Sequence, residues 1–303
     1  MTEKIERQPY WRWGIAFYLF LAGTGAGAYM VAVLIDIFRP EMAYLSRSGV
    51  FGGTVLVILG IPFLILDLGK KGRFLRAGIS IRTAWIGRGF YILSAFIVLG
   101  VIQIGLWIWP FSILEGERPL RLTLQIINGV FAFGVAAYTG LLLRSMKSVH
   151  FWDTPLIVIL FFISALSTGT IFLTLSSMTS FGESVREKAL LNFLLRADMV
   201  LIFLESLILV FYLAAMHDAT EASEKSVSAL IRGDLKVLFW GGVIVCGIII
   251  PFFLKCIEVF SSEVDLAGLM VISGLFVLLG GLLLRYGVLA AGIQVTPLLP
   301  NCR

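Results

Sequence analysis

The sequence predicts an all-α integral membrane protein with eight transmembrane helices, and three observations carry that expectation. Hydrophobic residues make up 59% of the 303 and charged residues only 14%. The mean hydropathy of +0.97 lies far above that of soluble domains. Eight apolar runs are long enough to cross about 30 Å of hydrocarbon, at 14–37, 50–66, 90–109, 123–143, 155–175, 195–215, 237–254 and 266–289. The segments between them are short and hold no soluble domain, internal repeat or low-complexity stretch, so residues 1–303 read as one membrane domain.

The first run is continuous from Gly14 to Ile37, too long for the core of a cleaved signal peptide. Inside it, LAGTGAGAYM (residues 21–30) contains GTGAG, close to the glycine pattern that cradles a dinucleotide. That cradle needs a preceding strand and free backbone N–H groups at a helix start. Here the glycines lie within an apolar helix, where those groups are already bonded. Gly23 and Gly27, four apart, instead make a face without side-chain bulk on which a helix or a flat ligand comes close.

The second run closes on Asp67 in PFLILDLGKKGRF. The third and fourth carry Gln103 and Asn128, expected to pair across helices. Tyr18 near the start of run one and Tyr138 near the end of run four fall at similar depth. Phenols near an interface usually belong to an aromatic belt, but a matched pair beside a glycine groove also suits a carbonyl-bearing ring. Run six places Glu205 midway in MVLIFLESLILV, where an ionisable group either handles protons or sits protonated against a neighbouring helix. Run eight brings Arg285 and Tyr286 close to its end, where an arginine snorkels to water.

An even number of spans puts both termini on one side, the terminal face. Sixteen lysines and arginines fall there against eight in the other loops, which by the positive-inside rule makes that face cytoplasmic. Six of the sixteen, Lys70, Lys71, Arg73, Arg76, Arg82 and Arg88, share one loop, so docking of an acidic partner is a second reason for the bias. The net charge of +5 suits such loops and carries no nucleic-acid role. Three cysteines (Cys246, Cys256, Cys302) without a CxxC do not supply the four thiolates of an iron–sulfur cluster. Two histidines at helix ends, His150 and His217, do not suit a bis-imidazole haem at membrane depth.

Six stretches in order give this sequence its likeness to a known family. The most specific is FWDTPLIVILFFISALSTG (Phe151 to Gly169), and Asp153 stands where asparagine is commoner. The others are AGTGAGA in run one, LDLGK (66–70) followed by RFL, WIGRG (85–89), YTGLLL (138–143) and RYGVLAAG (285–292). Together they resemble the NrfD/PsrC family, membrane subunits of polysulfide-reductase-like complexes.

The resemblance implies eight helices in two four-helix bundles, in the cytoplasmic membrane of a prokaryote. It also implies a cofactor-free subunit, not catalytic alone, that binds a quinone (menaquinone or ubiquinone). Electrons would pass between the quinone and a four-cluster, ferredoxin-like iron–sulfur subunit that serves a molybdopterin or related catalytic subunit. Tyr138 falls on a family tyrosine placed at the quinone. Tyr18 falls where one family member has a quinone-site histidine; a phenol still donates a hydrogen bond but does not shuttle protons near neutral pH. With Gly23 and Gly27 these form the expected quinone site. Asp67, Glu205 and Arg285 are the proton-path candidates, and Lys70, Lys71, Arg73 and Arg88 the docking surface. Well-known relatives dock partners on the periplasmic side, opposite to the side the charge count favours. A proton-coupled secondary transporter would also account for Glu205 and Asp67, although such proteins show a paired repeat with interrupted helices.

Overall fold

The computed structural model describes residues 3–8, 13–67, 85–108, 117–178, 185–260 and 266–297. Within them, eight helices are long and apolar enough to span a membrane. These are α1 (Trp13–Phe38), α2 (Ala43–Asp67), α3 (Trp85–Trp107), α4 (Arg118–Arg144), α5 (Pro155–Met178), α6 (Val185–His217), α8 (238–260) and α9 (Leu266–Ala290). α8 is wound as a π-helix over Leu238–Ile249 and continues as an α-helix over Ile250–Phe260.

Each spanning helix matches an apolar run, but several reach further. α6 begins ten residues before the run that predicts it, and α8 continues six residues beyond Leu254. Charged residues within these extensions are therefore helical rather than loop residues.

Helices α1 to α4 close into a ring in which each packs on the next, and α5, α6, α8 and α9 close into a second. The two four-helix bundles meet chiefly where α1 packs on α5, with α4 against α5 and α9 against α1. Small residues make this possible. A methyl group at Gly27 would overlap the backbone carbonyl of Ala165, and one at Gly169 would overlap Gly27. Beside them Thr24 Oγ1 donates to Thr168 Oγ1 at 3.0 Å. In lipid, association gains from close van der Waals packing and interhelical hydrogen bonds rather than from hydrophobic burial, and this crossing supplies both.

Two features were not expected from the sequence. A short strand β1 (Glu3–Arg7) pairs antiparallel with β2 (Ile293–Pro297), with Ile5 opposite Val295. The ribbon puts the segments before α1 and after α9 on one face, and Val295 N donates to Ser148 O of the α4–α5 connection at 3.0 Å. The second is α7 (Glu221–Ile231), an amphipathic helix on the same face. Its N-cap is Thr220, which accepts from Ser223 N at 3.2 Å. Glu221 pairs with Lys225 one turn on at 2.6 Å, which lowers the Glu221 carboxyl below its ordinary range.

The α1–α5 contact predicts that Gly27→Ala lowers the thermal midpoint of the purified chain in detergent, through about 1–3 kcal/mol of overpacking. Gly105→Ala, where a methyl group would meet nothing within 4 Å, leaves the midpoint in place.

Candidate functional site

The phenols come together at the terminal-face end of the first bundle. Tyr18, five residues into α1, and Tyr138, six residues before the end of α4, are both buried and are electrostatic neighbours. Each rests on a glycine of another helix. A Cβ at Gly60 of α2 would lie 3.4 Å from the Tyr18 ring, and one at Gly89 of α3 would overlap the Tyr138 ring. Gly89 ends the WIGRG stretch, so that stretch and YTG are two halves of one contact.

The Tyr18 hydroxyl has no hydrogen-bond partner among the described residues. A buried hydroxyl left unpaired costs about 1–3 kcal/mol, so its retention asks for a reason other than stability. Tyr212, also fully buried, shows the ordinary solution: its hydroxyl donates to Phe151 O at 2.8 Å.

Gly23 and Gly27 lie on a different side of α1 from Tyr18. Gly27 is taken up by α5, and a Cβ at Gly23 would sit 2.9 Å from Arg285 Nη2 and 3.4 Å from the Ala165 Cβ. They serve the seam between the bundles and do not adjoin the phenols.

Arg285 does not snorkel. It is fully buried between the bundles, donating from Nη1 to Ser164 Oγ at 3.0 Å and to Gly281 O at 2.8 Å. The guanidinium lies 5.7 Å from the Phe20 ring centroid and 5.5 Å from that of Phe161. Its Nε and Nη2 have no partner among the described residues. Glu205 of α6 is buried beside the same Ser164 and feels the charges of both Arg285 and Asp198. Two of the proton-path candidates therefore meet across α5, α6 and α9.

A further charged group was missed by sequence reasoning. Lys255 of α8, fully buried, places Nζ 2.6 Å from Oδ2 of the equally buried Asp198 of α6. Asp198 Oδ1 accepts from Ser167 Oγ at 2.6 Å, and Glu258 accepts from Ser273 Oγ at 3.3 Å. Asp198 was visible inside the sixth apolar run, while Lys255 looked like the first residue beyond the seventh.

Gln103 and Asn128 do not pair directly. Gln103 Oε1 accepts from the Tyr29 hydroxyl, and Asn128 lies beside that same hydroxyl. Asp67 ends α2, but its side chain, with Lys70, Lys71 and Arg73, lies outside the described residues; Arg88 is exposed in the first turn of α3. FWDTP and RYGVLAAG pack on each other. Trp152 Nε1 donates to Val288 O at 3.0 Å, and a Cβ at Gly292 would stand 2.6 Å from the Trp152 ring.

Eight apolar helices in two bundles, with ionisable and phenolic groups held between them, define a multi-pass membrane protein built around buried polar sites. More particularly, the protein belongs to the NrfD family (polysulphide reductase, NrfD), which it matches over residues 2–297. It is 28% identical to a polysulfide reductase chain of Wolinella succinogenes, covering 93% of its own length and 94% of the relative's. Protein NrfD of Escherichia coli is 27% identical with the same coverage. A selenate reductase subunit of Mesobacillus selenatarsenatis is 23% identical over 88% of this protein and 72% of the relative.

The unpaired Tyr18 hydroxyl predicts that Tyr18→Phe leaves the thermal midpoint unchanged or raises it. Tyr212→Phe, which removes a made bond, lowers stability by about 1 kcal/mol. Thermal melts of the two purified variants check the contrast.

Proposed function

We propose that this chain is the quinone-reactive membrane subunit of a respiratory reductase complex, with its ring site at Tyr18 and Tyr138. The buried hydroxyl of Tyr18, unpaired and beside a second phenol, carries this reading. Such a donor suits a carbonyl oxygen, and a quinone presents two of them on opposite sides of a flat ring. Gly60 and Gly89 let the two phenol rings lie directly against α2 and α3. Both phenols are buried, so a ring reaches them when the terminal-face ends of α1 to α4 part.

A quinone supplies two-electron, two-proton redox chemistry that no side chain here provides. The protein's own part is then to hold the ring by hydrogen bonds from Tyr18 and Tyr138 and to bring protons through Glu205 and Arg285. Electrons have to come from outside the chain, which calls for an iron–sulfur subunit on the terminal face, against Arg88 and the basic residues Lys70, Lys71 and Arg73. The relatives named for polysulfide and selenate reductases favour a catalytic subunit beyond it, with a molybdopterin centre as the expected chemistry.

Tyr138→Phe is expected to lower quinol turnover of the assembled complex about fivefold or more, the worth of one hydrogen bond of about 1 kcal/mol, while subunit composition stays the same. Unchanged kinetics would remove Tyr138 from the site. Mild solubilisation of intact membranes should bring an iron–sulfur protein down with the chain; its reproducible absence from such extracts would sink the electron-transfer reading.

A further inference from the structure

We infer that Glu258, Lys255, Asp198, Glu205 and Arg285 form one buried array that holds a single shared proton between the face opposite the termini and the seam of the bundles. The first support is their order in depth. α6 and α9 run towards the terminal face and α5 and α8 away from it. Glu258 lies two residues before the far end of α8, and Ser273 seven residues into α9. Lys255 is one turn deeper, ion-paired with Asp198 across 2.6 Å. Glu205 is seven residues further along α6, or about 10 Å at 1.5 Å per residue, and shares Ser164 with Arg285. Neighbouring members interact electrostatically: Glu258 with Lys255 and Asp198, and Glu205 with Asp198 and Arg285.

The second support is the charge balance. The array contains three carboxyl groups and two basic groups, all buried. Fully ionised, it would carry a net negative charge inside a low-dielectric bundle, at a cost of several kcal/mol. One proton restores neutrality. Asp198 already has Lys255 Nζ at 2.6 Å and the Ser167 hydroxyl at 2.6 Å, and Glu205 faces Arg285 through Ser164. Glu258 accepts only the longer bond from Ser273, and its Oε2 has no partner among the described residues, so Glu258 is the resting seat of the proton. Each transfer breaks one O–H bond as it makes the next; over the about 10 Å between Asp198 and Glu205 the proton is relayed through the Ser167 and Ser164 hydroxyls of α5 and water between them, with no electron moved.

Among the described residues the first bundle lacks this chemistry. Its buried groups Tyr29, Gln103, Asn128 and Gln125 are uncharged, and Asp36 is matched by Arg121 in a two-pronged ion pair at 2.9 and 3.0 Å. The array rests on the proposed function only for where its proton finally goes.

Infrared difference spectra of the purified full-length chain, without quinone or partners, count protonated buried carboxyls through the carboxylic C=O band and its shift in D2O. Wild type minus E258Q should show one such group. E205Q and D198N each leave two acids against two bases and should abolish the band, although neither removes its resting seat. K255M leaves three acids against one base and should double it, while K255R keeps wild-type intensity. A wild-type band in E205Q or D198N would overturn the sharing, as would an unchanged band in K255M. If D198N does not fold, the isosteric E205Q gives the same count. Because no turnover is involved, loss of the quinone reading through Tyr138→Phe leaves this result standing, and the reverse also holds.

Discussion

The contact of one helix backbone with another, where Gly27 and Gly169 let α1 lie directly on α5, sets the spacing on which the two bundles depend. Without side chains between them, the helices approach closely enough for Thr24 to bond Thr168. The same approach closes α1 over Arg285, with Gly23 leaving just enough room for the guanidinium. α1 is thereby shared. One side carries Tyr18 into the first bundle, and another covers the charge of the second.

This arrangement divides the chemistry of the molecule. Among the described residues, neutral polar groups, phenols and amides, populate the interior of the first bundle apart from the Asp36–Arg121 ion pair, whereas unequal numbers of carboxyls and bases populate the second. Ionisable groups in a bilayer are costly unless matched and bonded, and the second bundle answers part of that demand with Ser164, Ser167 and Ser273, each hydroxyl donating to or receiving from a charged neighbour. Arg285 stands at the seam, bonded within the second bundle and facing Phe20 of the first.

Much of this was readable in the residues, and the exceptions have physical causes. The spans follow from uninterrupted apolar length, and the matched depth of Tyr18 and Tyr138 from the alternating direction of successive helices. Snorkelling and an inward proton-path position both stood open for Arg285, because position near a helix end says nothing about which way the side chain turns; Phe20, Phe161 and Ser164 hold it inward. Lys255 escaped because a lysine after an apolar run reads as the edge of the membrane, and only the carboxylate of a distant helix brings it inside. The groove expected beside the phenols turned out to be the packing surface for α5, since a small-residue stripe does not declare its occupant. α7 and the ribbon rest on short polar segments whose partners are remote in sequence.

That ribbon bears on how the molecule is made. Ile5 finds its partner only in Val295, almost the whole chain later, so during synthesis the first strand waits unpaired until the eighth span has entered the bilayer. Closing it joins segments on either side of the eight spans across the terminal face, a clasp that forms only after the last of those helices is in place.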